Sequence, residues 1–257
     1  MFLVFDTETT GLPKDFRAPI TDTDNWPRVV QIAWQLHGEK GELLEQVEYL
    51  IQPDGFDIPF ESEQIHGIST ALAERDGVPL AEAMTHFVAT LKKSKFNVGQ
   101  NVGFDINVVG CELYRLGMDS PIVDLPILDT CNEHTAEMCK IPGGRGGKFK
   151  LPTLTELHQH LFGKPFGEAH NATADVEATA RCFLELVRLG EYQKKELGFD
   201  DHQVQAFVEA NPEVIKPIGL KHRNLKKQSE EIRKGEQADA DPGLSKADLD
   251  ENLAQLS

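Results

Sequence analysis

The sequence predicts an α/β protein in which an early group of strands is followed by strands separated by helices. Short apolar runs typical of strands occur near residues 2–6, 28–37, 43–52, 95–100 and 121–128. Apolar residues recur at helical spacing near residues 79–93, 105–116, 153–162 and 172–189. The stretch Gly38–Gly41 predicts a hairpin turn between the second and third strands. With 257 residues, the chain can bury one α/β core and still carry an appendage.

Two of the predicted helices have a clear apolar face and a clear end. In the helix at 105–116 the apolar residues repeat every three or four positions, and Gly117 follows as a stop. The helix at 172–189 has the same repeat and ends before Gly190. The apolar positions are Ile106, Val109, Leu113 and Leu116 in the first helix, and Val176, Ala180, Phe183, Leu184 and Val187 in the second. Periodicity alone establishes only the α/β class.

The first predicted strand ends in two acids, Asp6 and Glu8. Residues two apart on a strand point to the same face, so both carboxylates project together. Like charges this close repel each other unless a cation lies between them. Carboxylate oxygens suit Mg²⁺ or Mn²⁺. The alternative for this pair is a solvated turn.

Two further acids stand in the first turns of the two predicted helices. Asp105 opens the helix at 105–116, four residues after Asn101. Asp175 lies in the first turn of the helix at 172–189, five residues after His170. Each acid has a simpler interpretation, since the helix dipole favours an anion at the N-terminus. His170 alone is equally consistent with a helix-end histidine.

Taken together, the three motifs resemble the DEDDh exonuclease superfamily, whose name lists four acids and one histidine. The motifs are Asp6-x-Glu8, Asn101 with Asp105, and His170 with Asp175, in this order and spacing. The resemblance spans residues 1–190 and is greatest to the epsilon-type proofreading exonucleases of bacterial DNA polymerase III, with ribonuclease T and oligoribonuclease as relatives. Further similar segments are 28–33, 65–68 and 128–130. Gln100 stands where many relatives have histidine.

The resemblance implies a fold and a mechanism. The fold is a ribonuclease-H-like mixed sheet, three antiparallel strands plus parallel strands, flanked by helices. The mechanism is phosphodiester hydrolysis from the 3′ end with two Mg²⁺ or Mn²⁺ ions, releasing 5′-mononucleotides. The implied metal ligands are Asp6, Glu8, Asp105 and Asp175, and the implied general base is His170. The implied contacts to the terminal nucleotide are Thr9, Leu12, Glu61 and His66.

Three functions fit these motifs. The first is a proofreading-type exonuclease acting on a single-stranded 3′ end of DNA, which requires a polymerase partner because the sequence shows no polymerase domain. The second is an RNA-trimming exonuclease of the same superfamily. The third is a catalytically idle nucleic-acid-binding module, which the complete set of acids and His170 disfavours.

The net charge of −16 is unusual for a protein that binds nucleic acid. An acidic metal site accounts for part of it. The Gly-rich stretch at 140–150, with Lys140, Arg145, Lys148 and Lys150 and no acid, is either a mobile strand-holding loop or a flexible solvated surface loop. The four cysteines form no Cys-x-x-Cys pair, which indicates free thiols in a reducing cytoplasm. No apolar run suits a membrane span or a signal peptide.

The chain divides into three predicted parts: the exonuclease domain at 1–190, a helical and polar extension at 191–234, and a linker with a short amphipathic helix at 235–257. In the extension, Asp200 to Ala210 favours one helix. In the last part Ser245 is a candidate N-cap, and an apolar stripe follows it. The stripe consists of Leu249, Leu253 and Leu256. So short a helix is marginal alone, so it docks either on its own domain or on a partner such as a polymerase.

Overall fold

The computed structural model describes residues 1–167, 171–219 and 223–240, the last five of these by their backbone alone. Its strands are β1 (Phe2–Thr9), β2 (Val29–His37), β3 (Leu43–Leu50), β4 (Phe96–Gly99) and β5 (Ile127–Asp129). The helices up to residue 139 are α1 (Phe60–His66), α2 (Thr70–Asp76), α3 (Leu80–Leu91), α4 (Gly103–Arg115) and α5 (Glu133–Cys139). The later helices are α6 (Leu154–Phe162), α7 (Ala172–Leu189), α8 (Lys194–Leu197), α9 (Asp201–Ala210) and α10 (Leu225–Ala240).

The five strands form one mixed sheet in the order β3-β2-β1-β4-β5. The first three strands pair antiparallel, whereas β4 pairs parallel with β1 and β5 parallel with β4. The turn Gly38–Gly41 joins β2 to β3, closed by a hydrogen bond from Gly41 N to Gly38 O. The predicted mixed sheet, three antiparallel strands plus parallel strands, is therefore confirmed.

The central strand β1 separates two apolar layers because its side chains alternate between the two faces of the sheet. Phe2 and Val4 pack with residues of α7 on one face. Leu3 and Phe5 pack with residues of α3 and α4 on the other. The same alternation continues past Phe5. Asp6 and Glu8 therefore lie on the face of the sheet that α7 covers, and Thr7 lies on the face that α4 covers.

The predicted strand near 121–128 is too long. The structure has a strand only at Ile127–Asp129, preceded by a turn in which the carbonyl of Pro121 accepts hydrogen bonds from the backbone nitrogens of Asp124 and Leu125. Proline favours turns and cannot donate to a strand ladder, and Pro121 and Pro126 both fall in this range.

The chain after residue 190 packs on the same core. Leu197, Phe199 and Phe207 are buried in the layer between α7 and the sheet. Helix α10 packs on α2, where Leu225 joins Ile68 and Leu72 in a separate apolar cluster. This helix runs through Gly235 to Ala240, into the range expected to be a linker. The predicted apolar stripe of Leu249, Leu253 and Leu256 lies outside the described residues.

Candidate active site

Strand β1 and helix α7 bring three carboxylates together. One ligand oxygen each from Asp6, Glu8 and Asp175 lies within 4.8 Å of the others. Asp6 and Glu8 share the face of β1 that α7 covers, and Asp175 lies in the first turn of α7. The sequence motifs thus meet in space as expected for these three acids. We call this group the carboxylate cluster.

Helix α7 is positioned by contacts at its N-terminus. The Asn171 side chain caps the helix by accepting hydrogen bonds from the backbone nitrogens of Thr173 and Ala174. The Ala172 backbone nitrogen donates to Gln31 Oε1 on β2 at 3.1 Å. Gln31 is paired with Glu8 across the two strands, so this bond fixes the start of α7 beside the end of β1.

Asp105 approaches from the opposite side of the sheet and is held by Thr7. Its Oδ1 accepts hydrogen bonds from the Thr7 backbone nitrogen at 3.0 Å and from Thr7 Oγ1 at 2.6 Å. Asp105 is buried at 4% exposure, and both bonds go to the same oxygen. Thr7 therefore orients the Asp105 carboxylate relative to the neighbouring acids.

Burial and mutual repulsion make these carboxylates reluctant to ionise without a cation. Burial, then the charges of Asp105, Asp175 and Glu8, raise the pKa of Asp6 well above its usual range. Burial, then Asp175 and Asp105, raise the pKa of Glu8 to about 8. Burial raises the pKa of Asp105 to about 7, although the hydrogen bonds from Thr7 favour its ionised form.

This donor set fits divalent metal ions. Hard carboxylate oxygens converge from two elements, as Mg²⁺ and Mn²⁺ require. Within the described part of the chain, no lysine or arginine forms an ion pair with Asp6, Glu8 or Asp105 that would neutralise them instead. A divalent cation bound at the carboxylate cluster would offset the repulsion between their ionised forms.

The end of strand β5 supports the start of α4, the helix that carries Asp105. The Asp129 carboxylate accepts hydrogen bonds from the backbone nitrogens of Asn101 at 2.8 Å and Val102 at 3.1 Å. Asn101 has a left-handed φ of 60°, a conformation that asparagine tolerates better than most residues. Gln100 binds elsewhere, since its Nε2 donates to Pro152 O and its Oε1 accepts from Thr130 Oγ1. The Gln100 side chain thus connects the segment before α4 to Thr130 and to Pro152.

The predicted general base, His170, lies outside the described residues. The Gly-rich loop is described, and two of its four cations have acidic partners. Lys148 pairs with Glu133 and Lys150 with Glu156, each at 2.7 Å. These pairs reduce the positive charge that the loop offers to a nucleic-acid strand.

The predicted contacts to the terminal nucleotide have different exposures. Leu12 is 75% exposed and therefore does not belong to the core. Thr9 is buried and donates from Oγ1 to Gly11 O at 2.7 Å, in the turn that presents Leu12. In α1, Glu61 is exposed, whereas His66 is buried at 3% exposure and its Nδ1 accepts a hydrogen bond from Ile68 N. The roles of all four residues remain predictions.

Two residues that position the site were not among the expected site residues, Thr7 and Gln31. Thr7 lies inside the first motif, and strand alternation is the signal that places it on the α4 face, toward Asp105. Gln31 lies in the segment 28–33 that resembles the family, but its bond to α7 links residues 141 positions apart. Local sequence carries no signal for such a contact.

Comparison with known proteins gives a consistent picture. A family model described as Exonuclease (RNase_T) matches residues 3–183. The 3′-5′ exonuclease DinG of Bacillus subtilis (strain 168) is 32% identical over 188 residues, which are 72% of this chain and 17% of that protein. The PolC-type DNA polymerase III of Staphylococcus aureus is 26% identical over 205 residues, 78% of this chain and 12% of that protein. The chain thus spans less than a fifth of the length of these two relatives.

Among solved structures, Escherichia coli Exonuclease I in complex with a dT13 oligonucleotide has a TM-score of 0.59 to this chain. The two are 22% identical, and the match covers 77% of this chain and 45% of that chain. At this identity the likeness concerns the fold. In the described residues no helix is long and apolar enough to cross a membrane.

Proposed function

Because the chain belongs to the exonuclease (RNase_T) family, we propose that it is a metal-dependent 3′-5′ exonuclease that removes 5′-mononucleotides from a single-stranded 3′ end of DNA. The observation that carries this proposal is the carboxylate cluster of Asp6, Glu8 and Asp175, with Asp105 beside it. A binding module that performs no chemistry would have no use for four acids that repel one another.

The four acids would hold two divalent ions, Mg²⁺ or Mn²⁺. When bound, such ions lower the pKa of water and stabilise charge on the attacking and leaving oxygens of a phosphodiester. The chain supplies the geometry: β1 presents Asp6 and Glu8, α7 presents Asp175, and Thr7 fixes the Asp105 carboxylate.

The remaining steps are assigned to His170 and to the predicted contacts of the terminal nucleotide. His170 removes the proton from the attacking water, a role that its place in the third motif and the family resemblance support. Exposed Leu12 lies against the terminal base as an apolar wedge. Thr9 holds the turn that presents Leu12, and His66 and Glu61 contact the terminal sugar.

DNA is the proposed substrate on the basis of two proteins to which this chain is similar. One relative is a DNA polymerase III and one structural neighbour is bound to an oligodeoxynucleotide. We propose further that residues 1–190 form the catalytic domain and that a polymerase is the partner when the enzyme proofreads. The proposed site of action is the cytoplasm.

The decisive experiment compares the wild-type chain with Asp6→Asn on four substrates. These are single-stranded DNA, mismatched duplex DNA, structured RNA and dinucleotides, each with Mg²⁺, Mn²⁺ or a chelator. The expected result is release of 5′-mononucleotides from the 3′ end of single-stranded DNA by the wild type with metal. We expect Asp6→Asn to lose at least about 10³-fold in turnover, the upper range for removal of one preorganised electrostatic group.

Two results would refute parts of this proposal. Equal turnover by Asp6→Asn would show that the nuclease activity comes from another site or from a contaminant. Faster degradation of RNA than of DNA by the wild type would assign the enzyme to RNA trimming and leave the metal site intact.

A further inference from the structure

Residues 216–234, which we call the basic segment, have a charge opposite to that of the rest of the chain. They contain seven lysine and arginine residues and two glutamates, a net charge of +5 within a chain of net charge −16. The cations are Lys216, Lys221, Arg223, Lys226, Lys227, Arg233 and Lys234. The proposed chemistry uses none of them. What these cations contribute to function depends on where they lie relative to the carboxylate cluster.

One contact ties the basic segment to the third motif. Asn171 Nδ2 donates a hydrogen bond to Arg223 O at 3.2 Å, while Asn171 Oδ1 caps α7. Asn171 thus connects α7, the helix that carries Asp175, to Arg223, which lies two residues before the start of α10. The Arg223 guanidinium also pairs with Asp76 at the end of α2. These two contacts attach the basic segment to the rest of the domain at Arg223.

A second set of contacts ties the basic segment to the corner between α1 and α2. Ser229 is 3% exposed, donates to Gly67 O at 2.8 Å and accepts from Ser69 N at 3.0 Å. Gly67 has a φ of 78°, and a Cβ built there would lie 2.2 Å from Lys226 Cγ. Lys226 therefore packs directly on the residue that follows His66.

These contacts place the N-terminal turn of α10 between two parts of the candidate site. The third motif lies on one side and the α1 corner with His66 on the other. In this turn, Lys226 and Lys227 are both exposed. Lys227 is 3.7 Å from Glu231, a surface pair with 70% and 63% exposed side chains. Lys226 forms no ion pair with any described residue, in contrast to Lys148 and Lys150 of the Gly-rich loop.

We propose that Lys226 and Lys227 bind the phosphate backbone of single-stranded nucleic acid and hold the strand upstream of the 3′ end at the carboxylate cluster. This inference rests on the proposed exonuclease function and names the surface that makes the enzyme prefer strands over dinucleotides. A strongly acidic protein repels a polyanion, so the affinity for a long strand must come from a local cationic surface. Lysines on an exposed helical turn recognise phosphates as charges and do not select bases.

The test compares the double variant Lys226→Ala/Lys227→Ala with a matched control, Lys92→Ala/Lys195→Ala. All four lysines are exposed, so both variants lose the same charge from the surface. The control lysines lie toward the other end of β1. Lys95, close to Lys92, donates from its backbone nitrogen to Met1 O, and Phe199, close to Lys195, packs on Phe2.

Four quantities are measured for each protein: KM and kcat on a DNA strand of about 16 nucleotides, kcat/KM on a dinucleotide, and the salt dependence of binding. Binding is measured by fluorescence anisotropy with a phosphorothioate strand of the same length, which resists hydrolysis. For Lys226→Ala/Lys227→Ala we expect KM on the long strand to rise by about 3- to 10-fold, with kcat and dinucleotide turnover unchanged. The slope of log K against log salt should fall in magnitude by about 1.4, for two lost phosphate contacts on a single strand.

Two results would overturn the proposal. One is an unchanged KM and salt slope in Lys226→Ala/Lys227→Ala. The other is an equal change in the control variant, which would assign the effect to net charge alone. Failure of the exonuclease function would look different, because no protein would then release nucleotides while the anisotropy measurement would still report whether the basic segment binds the strand.

Discussion

The carboxylate cluster and the basic segment are connected through Asn171, which caps α7 and contacts Arg223, but they are built in opposite ways. The cluster gathers Asp6, Glu8 and Asp175 from elements far apart in the chain, and it fixes them by buried strands and a capped helix. The basic segment is one contiguous stretch of the sequence. Four of its six cations in the described residues are exposed, Lys216, Lys226, Lys227 and Lys234. The first arrangement positions charges for chemistry, and the second spreads charge for affinity.

The difference teaches how an acidic protein can act on a polyanion. The cluster has an unfavourable electrostatic energy in the absence of metal, because burial and neighbouring charges raise the pKa of Asp6 and of Glu8. A divalent cation would relieve this repulsion, so the unfavourable energy of the metal-free cluster favours cation binding. The described cations of the basic segment are exposed or partly exposed, so solvent weakens the repulsion between them. Single changes there should therefore weaken function gradually, whereas single changes in the cluster should abolish it.

The variant expected to have the largest effect on turnover is His170→Ala, which tests the part of this comparison that concerns chemistry. The four acids remain, so metal binding should persist, but turnover should fall by about 10²–10⁴-fold because a positioned general base contributes that much. The measurement is kcat on single-stranded DNA together with the melting temperature with and without Mn²⁺. Wild-type turnover in this variant, or loss of the metal-induced rise in melting temperature, would contradict the role assigned to His170.

A smaller effect is expected for Thr7→Val, which removes one hydrogen bond to Asp105 and keeps the shape of the side chain. The lost bond goes to a charged group and is buried, so it contributes about 1.5–3 kcal/mol. If Asp105 must be oriented for catalysis, kcat should fall by about 10- to 100-fold. Thr7→Ser retains the hydroxyl and serves as the control. Equal activity in both variants would show that the Thr7 backbone nitrogen alone orients Asp105.

Much of the fold could be predicted because its signals are local. The bounds of α7 match the predicted 172–189 closely, since the helix has an apolar repeat and ends at Gly190 in a left-handed conformation. The mixed sheet of three antiparallel strands plus parallel strands followed from the family resemblance and is confirmed. The strand predicted near 121–128 is too long, because the apolar residues between Pro121 and Pro126 form a turn and only Ile127–Asp129 form a strand.

The parts that could not be predicted depend on contacts between distant residues. Helix α10 has a low apolar content, and its position depends on Leu225 and Ser229 packing against the corner at residues 67–69. The bond from Thr7 to Asp105 spans 98 positions. The sequence places Asp6 and Glu8 on one face of a strand, but only the folded chain shows that Thr7 connects the opposite face to the same site.

The carboxylate cluster should also make stability depend on pH and metal together. The pKa of Glu8 rises from its ordinary 4.5 to about 8 on folding. An acid with a raised pKa binds its proton more tightly in the folded state, so the metal-free protein loses stability as the pH rises between these two values. The increase in melting temperature caused by Mn²⁺ should therefore be larger near about pH 8 than near about pH 5. An increase of equal size at both pH values, or one retained in Asp6→Asn, would place the metal elsewhere.

The smallest effect is expected from truncation after residue 240. The removed part carries the apolar stripe of Leu249, Leu253 and Leu256, which we propose docks on a partner such as a polymerase. Every proposed catalytic residue precedes residue 190, so hydrolysis of short single strands should remain within about twofold of the full chain and the melting temperature should not change. A pull-down with a candidate polymerase should instead show weaker association.

A second truncation, after residue 223, provides the contrast. It removes α10, including Leu225, which is 2% exposed, and Ser229, which bridges residues 67 and 69. Burial of one leucine contributes about 1.5–3 kcal/mol, so this truncation should lower the melting temperature clearly. If the truncation after residue 240 lowers it as much, the terminal stripe packs on its own domain and not on a partner. The two cuts together therefore distinguish a helix that belongs to the active-site surface from a tail that serves assembly.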